Sequence, residues 1–309
     1  MEEKSIRQTI KDFMETKPET INIIGYGSAV KTQTGYNNST QKQIDIIATV
    51  EDSLRWHKQN KNNNPGEYSK FAIQLLKPIL HLGTDISYVS DIPYNNQFFK
   101  IGVIDKFDFL YDLENWSNFY MAGRTQKPIM LVKSDEKVNE AIKKNRINVL
   151  KTSLILNTDR VFNEKQLFQT LCSLSYIGDI RMTLGFENPN KVSNIVNGEF
   201  DELKNIYSDL NNDFYCIKNS MVIPNIEKLM HDVIDMPSSL VNYLIQNKID
   251  IESLGKEDLL RLREYITRYI KKTNLKSSIS QPLKSASINN TSNSIKYLKE
   301  KRKKYTSNK

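Results

Sequence analysis

The sequence predicts an α/β layer over about its first third and an almost wholly helical region after it. Within residues 1–133, short β-branched runs alternate with stretches whose apolar residues recur at helical spacing, which is typical of strands and helices packed in layers. After residue 133 the spacing is helical nearly throughout. The chain has 309 residues, of which 39% are hydrophobic, so it can build a substantial core and is not globally disordered.

The α/β layer is predicted to begin with a helix over residues 4–16, which Lys17-Pro18 ends. Runs of apolar and β-branched residues then predict five strands, at residues 21–24, 43–50, 85–89, 98–104 and 128–132.

Two further helices are expected between these strands. One is an apolar stripe from Tyr68 to Leu80, with Pro78 as a possible kink, and the other runs from Phe109 through Tyr120 to Gly123. Residues 56–67 are polar and rich in turn formers, so a loop is predicted there.

The helical region contains five candidate helices, at residues 135–151, 164–175, 193–211, 223–235 and 256–272. Residues 273–294 are rich in Ser, Asn, Thr and Lys, which favours a flexible linker, and residues 295–305 could form a basic amphipathic helix on a surface. We therefore expect four regions, comprising residues 1–133, 134–222, 223–272 and 273–309.

The positive charge is concentrated at the C-terminal end. The net charge is +8, yet residues 271–309 alone hold eleven basic residues and one acid, so the rest of the chain is close to neutral. A basic tail of this kind indicates an anionic partner, either nucleic acid or an anionic lipid surface, or simply a solvated end.

Several classes of protein are not expected. The sequence contains no run of about 18 apolar residues, so no membrane-spanning helix is expected. The acidic start has no apolar segment, which argues against a secretory signal, and it lacks the Arg/Ser-rich character of a transit peptide. Two cysteines and three histidines are too few for a disulfide framework or a structural zinc site.

The strongest chemical signal is a glycine-rich turn followed by a lone carboxylate. Gly25, Tyr26, Gly27 and Ser28 separate two predicted strands, and Asp45 lies inside the second, apolar strand. Backbone N–H groups and a hydroxyl in such a turn can hold phosphate oxygens, while a carboxylate can hold Mg²⁺. An ordinary turn and a strand-end aspartate bonded to the backbone are the alternatives.

This layout is similar to that of polymerase-β-like nucleotidyltransferases, in which Gly-Ser is followed by a strand carrying Asp-x-Asp. Position 47 is Ile, so a second metal carboxylate must come from elsewhere or be absent. Asp85 and Asp179 are the candidates, and we prefer Asp179.

A longer series of residues, spread over about residues 20–200, carries a more specific resemblance. Besides the turn and Asp45, it comprises Trp56-His57, Asn60, Asn64-Pro65, Tyr68-Ser69, Lys100, Gly102-Val103-Ile104, Asp112-Leu113, Trp116, Ala122-Gly123-Arg124, Lys127-Pro128, Ser175-Tyr176, Gly178-Asp179, Arg181-Met182, Glu187-Asn188-Pro189 and Lys191-Val192. In this order the series resembles the mitochondrial type of CDP-diacylglycerol synthase, the translocator assembly and maintenance family of phosphatidate cytidylyltransferases. Ala29 and Glu67 depart from the residues that the family favours, and Glu67 puts any role of that position in doubt.

The resemblance implies a fold and an activity. The expected fold is α/β + α, with a polymerase-β-like nucleotidyltransferase domain, then a winged-helix-like domain and a basic membrane-contacting C-terminal region. The expected reaction transfers CMP from CTP to phosphatidic acid with Mg²⁺, giving CDP-diacylglycerol for phosphatidylglycerol and cardiolipin synthesis. The expected partners are CTP, phosphatidic acid and an anionic membrane surface, with no nucleic acid.

The candidate site residues follow from the same series. The catalytic candidates are Asp45, Lys100, Asp179 and Arg181, and the candidate metal ligands are Asp45 and Asp179. The candidate nucleotide-binding residues are Gly25, Tyr26, Gly27, Ser28, His57, Asn60, Tyr68, Arg124, Lys127 and Lys191.

Each candidate has a structural alternative. Arg124 and Lys127 follow a predicted helix end and could clamp phosphate or compensate the helix dipole. Lys100 could meet an anion or lie at a sheet edge with its ammonium in water. Asp179 and Arg181 could be a structural ion pair, and His57 could be a solvated loop residue.

Two other functions and two locations stay open from the sequence. The chain could be a nucleotidyltransferase that modifies RNA or protein, or a non-catalytic nucleic-acid-binding protein. The Lys/Asn/Ile-rich composition favours a peripheral protein on the cytoplasmic face of a low-GC bacterial membrane, with the matrix side of the inner mitochondrial membrane as the alternative.

Overall fold

A computed structural model describes residues 3–31, 43–185, 187–211 and 213–289. Its helices are α1 (Glu3–Glu15), α2 (Ser53–Asn63), α3 (Ala72–Leu76), α4 (Lys106–Asn115), α5 (Ala122–Thr125), α6 (Glu136–Leu156), α7 (Glu164–Ser173), α8 (Ile180–Thr183), α9 (Lys191–Ser208), α10 (Ile226–His231), α11 (Ser238–Gln246) and α12 (Leu259–Ile288). Its strands are β1 (Asn22–Tyr26), β2 (Ile44–Val50), β3 (Ser87–Tyr94), β4 (Gln97–Asp105), β5 (Met130–Lys133), β6 (Tyr215–Lys218) and β7 (Met221–Pro224). The predicted α/β layer followed by a helical region is confirmed.

The first five strands form one mixed sheet in the order β3-β4-β2-β1-β5. Strands β2 and β4 are parallel, and the other pairs are antiparallel. The register places Tyr26 beside Asp45 and Asp45 beside Lys100, so three polar residues of the sequence lie in one row across the sheet.

Alternation along the strands divides the sheet into two faces. The face that carries Ile23, Ile46 and Ile101 is covered by α1, α2 and α3, and we call it the back face. The face that carries Ile24 and Ile47 packs against α4 and the first half of α6, and we call it the front face.

The predicted loop at residues 56–67 is wrong over most of its length, because α2 covers Ser53–Asn63. Asp52 caps this helix by accepting a hydrogen bond from the Arg55 N–H, and Trp56 is buried against the back face. The helix is otherwise so polar that its composition resembles that of a loop.

Two other predicted helices have different limits. The helix predicted from Tyr68 to Leu80 is shorter, because the chain forms a 3₁₀ turn at Pro78 and α3 has only five residues. Helix α4 ends at Asn115 and not at Gly123, because Trp116 adopts a left-handed conformation with φ 56°.

The predicted flexible linker at residues 273–294 is wrong for its described part, because α12 continues to Ile288. The small side chains of Ser277 and Ser280 are buried, and their hydroxyls bond to carbonyls of their own helix. Ser280 lies so close to Gly83 that a Cβ on the glycine would be 2.6 Å from its hydroxyl. Residues 290–309, which include the predicted basic helix, lie outside the described residues.

The helical region forms one core with the segment that follows α4. Helix α6 joins it to the sheet, since Val138 and Ile142 pack on the front face while Val149 and Leu154 enter the helical core. The hairpin β6–β7 and helix α11 were not predicted from the sequence. Within the described ranges, no helix combines the length and the apolar character that a bilayer crossing needs.

Candidate active site

The row of Tyr26, Asp45 and Lys100 lies at one end of the front face. The Lys100 ammonium is 3.9 Å from an Asp45 oxygen, and the two side chains are 22% and 28% exposed. This distance gives electrostatic attraction but is too long for a direct hydrogen bond between the two groups. The pKa of Tyr26 is raised by burial and by the neighbouring Asp45 charge.

The turn after β1 closes over this carboxylate. Gly27 has φ +81°, and a Cβ there would lie 3.0 Å from Asp45 Oδ2, so the turn requires a glycine. Gly25 differs, because a Cβ there would meet the side chains of Ile10 and Val30 on the back face. The structure therefore supports Gly27 as part of the site and gives Gly25 a packing role. Ser28 continues the same turn.

A second cation, Arg124, lies between tyrosine rings beside this row. Its guanidinium carbon is 4.3 Å from the ring centre of Tyr120 and 5.3 Å from that of Tyr26, and Nη2 donates to the Tyr120 hydroxyl at 2.6 Å. Among the described residues, its buried Nε has no hydrogen-bond partner. A guanidinium at this place in the row is a suitable partner for phosphate oxygens.

Tyrosines line the space between the two cations. Lys100 lies 4.4 Å from the ring centre of Tyr88, whose hydroxyl is 3.4 Å from that of Tyr26. Burial disfavours ionisation of Tyr120, but the nearby Arg124, Lys100 and Arg181 outweigh it and lower the pKa of this phenol. Because Arg181 acts on the Tyr120 hydroxyl together with Arg124 and Lys100, it also belongs to this cluster.

The loop that carries Tyr120 is held by one buried carboxylate. Asp112 accepts hydrogen bonds from the backbone N–H groups of Asn118, Phe119, Met121 and Ala122 at 2.8–3.2 Å. Burial raises the pKa of this carboxyl against the effect of those four bonds. Asp112 thus fixes the loop and the start of α5, where Arg124 lies.

Lys127 joins the site from the same segment. Its ammonium donates to the Ser175 hydroxyl at 2.7 Å and lies 5.0 Å from the ring centre of Tyr176. Burial lowers its pKa to about 7, and the positive charges of Arg124 and Lys191 act in the same direction. Lys191, at the start of α9, is therefore also near the cluster.

Asp179 and Arg181 form a close ion pair at the start of α8. The carboxylate receives Arg181 Nε at 3.0 and 3.1 Å on its two oxygens and also caps the helix through the Arg181 N–H. The Asp179 side chain is only 4% exposed, whereas that of Arg181 is 33% exposed. This geometry suits the structural alternative for Asp179 and leaves Arg181 facing the site.

His57, Asn60 and Tyr68 lie in a buried network on the back face. The His57 ring lies between the hydroxyls of Tyr68, at 3.0 Å, and Ser87, at 2.7 Å, and burial lowers its pKa to about 3. A neutral, fully buried imidazole cannot neutralise a phosphate. The sheet separates these three residues from Asp45, so the nucleotide-binding prediction made for them stays a prediction without support from this geometry.

The departure at Glu67 is explained by the same network. Asn60 donates to Glu67 at 2.9 Å and to Tyr68 at 3.1 Å, and Glu67 also forms an ion pair with the buried ammonium of Lys17. Glu67 therefore connects α1 to α2 and has no place in the site.

The site fits a magnesium ion with one protein carboxylate. Mg²⁺ is commonly held by one or two carboxylates, with substrate phosphates and water as the other ligands. Asp45 is partly exposed and its nearest cation is not hydrogen-bonded to it, whereas the oxygens of Asp179 are already occupied by Arg181. Within the described residues, the cluster with three potential metal ligands is His81, Asp85 and Asp108, which contains the less preferred candidate Asp85 but neither Asp45 nor Asp179.

Tyr88 and Tyr120 were not predicted as site residues. Tyr120 continued an apolar stripe that indicated a helix, and Tyr88 lay in a predicted strand, so both resembled core residues. The available signal was the number of tyrosines in segments that also carry isolated cations.

Comparison with known proteins identifies the family. A family model described as mitochondrial phosphatidate cytidylyltransferase matches residues 6–304. Relatives with the same name come from Schizosaccharomyces pombe, with 37% identity over 60% of this chain and 48% of the relative, and from Saccharomyces cerevisiae, with 33% identity over 71% and 60%. The human relative is 33% identical over 65% of this chain and 46% of its own length. The chain thus spans about half to three fifths of the length of these relatives.

These relatives are eukaryotic proteins named as mitochondrial. The expectation of a bacterial location therefore finds no support, and the alternative location becomes the preferred one.

Proposed function

Because this chain belongs to the mitochondrial phosphatidate cytidylyltransferase family, we propose that it transfers CMP from CTP to phosphatidic acid and releases pyrophosphate. The observation that carries this proposal is the cluster on the front face. There, one carboxylate under a glycine turn lies close to several cations, among them Lys100 and Arg124. This charge pattern suits a triphosphate and a phosphomonoester that must be held together against their mutual repulsion.

In the proposed reaction, a phosphate oxygen of phosphatidic acid attacks the α-phosphorus of CTP. A new P–O bond forms, the bond between the α-phosphorus and the bridging oxygen breaks, and pyrophosphate leaves with that electron pair. The backbone of Gly27 and the hydroxyl of Ser28 hold triphosphate oxygens, while Lys100 and Arg124 balance the charge of the transition state. Lys127 and Arg181 lie on the helical side of the cluster, where Lys127 binds a triphosphate oxygen of CTP and Arg181 binds the phosphate of phosphatidic acid.

Magnesium is the proposed cofactor. It would be held by Asp45 together with triphosphate oxygens, and when bound it would supply neutralisation of phosphate charge. Asp179 remains a weaker candidate ligand, since its oxygens already accept bonds from Arg181.

We further propose a polymerase-β-like nucleotidyltransferase fold for the sheet and its helices, and a winged-helix-like fold around the helical core and its β6–β7 hairpin. The proposed location is the matrix side of the inner mitochondrial membrane, in phosphatidylglycerol and cardiolipin synthesis. The basic residues beyond residue 289 would contact anionic lipid. Since α12 runs to Ile288, a truncation that tests the tail and keeps this helix ends at residue 289.

The test is a turnover assay with labelled CTP and phosphatidic acid in detergent micelles, with RNA and a protein acceptor in parallel reactions. Formation of CDP-diacylglycerol and pyrophosphate in equal amounts is expected, and chelation of Mg²⁺ should abolish it. Label transfer to RNA or to protein without lipid product would refute the proposal and favour a nucleotidyltransferase of another class.

A further inference from the structure

Helices α3 and α12 lie side by side at the edge of the sheet and expose apolar side chains to solvent. Ser69 bonds to the carbonyls of Ser287 and Ile288, and Gly83 lies against Ser280. Residues 69–83 therefore run antiparallel to residues 276–288. The two segments expose large apolar side chains, each 41–56% accessible, namely Phe71, Leu75, Leu82, Leu275, Ile279 and Leu283. We call these six residues the α3–α12 face.

The arrangement of α12 shows that this exposure is systematic. Leu275, Ile279 and Leu283 are spaced by four residues, so they form one outward stripe. The inward side of the same stretch consists largely of small or polar residues, among them Ser277, Ser280 and Lys284. This part of α12 thus has its larger apolar residues outside, the reverse of a helix that packs on a core.

Lysines surround the apolar residues. Lys70, Lys77, Lys271, Lys272 and Lys276 are exposed on the two segments, and residues 69–84 and 271–289 contain no acid. The first carboxylate is Asp85, which accepts a hydrogen bond from His81 beyond the end of the face. An apolar stripe flanked by cations alone is complementary to an anionic lipid surface.

The face is also connected to the candidate active site. Asn274 donates to the carbonyls of Leu174 and Ile177, and Ser278 accepts from the Ile180 N–H. These bonds hold the segment that carries Asp179 and Arg181 against α12. Leu184, which follows α8 directly, is also an exposed apolar residue, and α8 contacts α12.

We propose that the α3–α12 face docks on an anionic bilayer and thereby places the active site at the surface that holds the lipid substrate. The purpose of this contact rests on the proposed function, but binding of the face to a bilayer can be measured without the reaction. It is also separate from the basic residues beyond residue 289, since every residue of the face lies before that point, in residues 69–83 or in α12. The apolar side chains enter the interfacial region while the lysines contact lipid phosphates.

The proposal is tested by sedimenting the full-length protein with phosphatidylcholine vesicles. These contain about 30% phosphatidylglycerol, an anionic lipid that attracts basic surfaces. The I279N/L283N variant should bind at least about tenfold more weakly than wild type, because two exposed apolar side chains are lost. The L260N variant is the matched control, because Leu260 is a 74% exposed residue at the other end of α12. It should bind like wild type.

A second measurement reports contact directly and does not depend on the tail. In a C216S background, which removes the exposed cysteine, an environment-sensitive fluorophore is attached at I279C or at L260C. Vesicles with brominated lipid should quench the label at position 279 and leave that at position 260 unchanged. Equal quenching, or no quenching at 279 while the protein sediments, would overturn the proposal and assign membrane contact to the tail.

The outcomes also separate this inference from the proposed function. If position 279 is quenched but micelles yield no CDP-diacylglycerol, the docking face stands and the proposed reaction fails. If the micellar reaction proceeds and the I279N/L283N variant still sediments like wild type, the reaction stands and the docking face fails. If wild type is a dimer that these two substitutions dissociate, and vesicles do not quench position 279, the face is a self-association surface and the proposal is wrong.

Discussion

The two faces of the sheet both carry buried polar groups, but they satisfy them differently. On the back face, His57, Asn60 and Tyr68 bond to one another and to protein neighbours, and the charge of Glu67 is balanced by Lys17. On the front face, Asp45 and Lys100 are 3.9 Å apart and Arg124 keeps an unbonded donor among the described residues. A closed network of buried neutral side chains stabilises a fold, whereas a cluster of partly exposed charges is suited to bind a charged ligand.

The largest expected effect comes from removing the front-face carboxylate. Asp45→Asn keeps the side-chain volume but removes the charge, so turnover should fall on the order of 10³-fold, as for the loss of one electrostatic contact to a transition state. The melting temperature should change little, because the ion pair of Asp45 with Lys100 is long, at 3.9 Å, and partly exposed. Turnover within a few-fold of wild type would show that Asp45 has no role in metal or phosphate binding.

The next test removes one tyrosine hydroxyl from each face and compares the two variants. Tyr68→Phe removes a hydroxyl from the closed network, so His57 and Asn60 each lose one of their buried hydrogen-bond partners, which should cost about 1–3 kcal/mol of stability in urea denaturation. Its turnover should equal that of wild type. Tyr120→Phe removes the hydroxyl that receives Arg124, so turnover should fall by about tenfold, the effect of one hydrogen bond to a charged group.

The comparison fails if these two results are exchanged. An active-site effect of Tyr68→Phe without a loss of stability would mean that the back-face network takes part in catalysis. A stability loss in Tyr120→Phe with normal turnover would reduce the tyrosines around Arg124 to a packing role.

The sequence could predict the charged residues of the site better than their surroundings. Asp45 and Lys100 were recognisable because a charge inside an apolar strand is costly without a partner. His57 was misplaced because α2 is too polar to show an apolar stripe, and its burial depends on tertiary contacts with Tyr68 and Ser87. Local composition does not report such contacts.

The same limit explains the misassigned end of the chain. Serines in residues 273–288 indicated a linker, yet their hydroxyls are satisfied within α12 and their small size permits the approach of Gly83. The ammonium of the buried Lys284 donates to three backbone carbonyls of the opposite segment, those of Leu80, Thr84 and Ile86. Such complementarity between segments 200 residues apart is not encoded in either segment alone.

A smaller effect is expected from the turn above Asp45. Gly27→Ala places a methyl 3.0 Å from Asp45 Oδ2 at a residue with φ +81°, so the turn must shift. CTP affinity measured by calorimetry should fall by about tenfold, since a left-handed alanine costs roughly 1 kcal/mol before any clash. Gly66→Ala is the matched control, because a Cβ there meets nothing within 4 Å. Unchanged affinity in Gly27→Ala would make the turn an ordinary one.

The smallest effect concerns the pH dependence of CTP binding through Lys127. Burial lowers the pKa of this ammonium to about 7, so the group is cationic below that pH and loses its charge above it. If Lys127 binds phosphate, CTP affinity should weaken by a few-fold between pH 6.5 and 8.5, within the range expected for one screened charge contact. Lys127→Arg should remove the dependence, because a guanidinium stays protonated throughout. CTP's own titration is common to both proteins, and His57, with a pKa of about 3, does not titrate in this range. The difference between the two calorimetric profiles therefore isolates Lys127, and superimposable profiles would exclude it from the phosphate site.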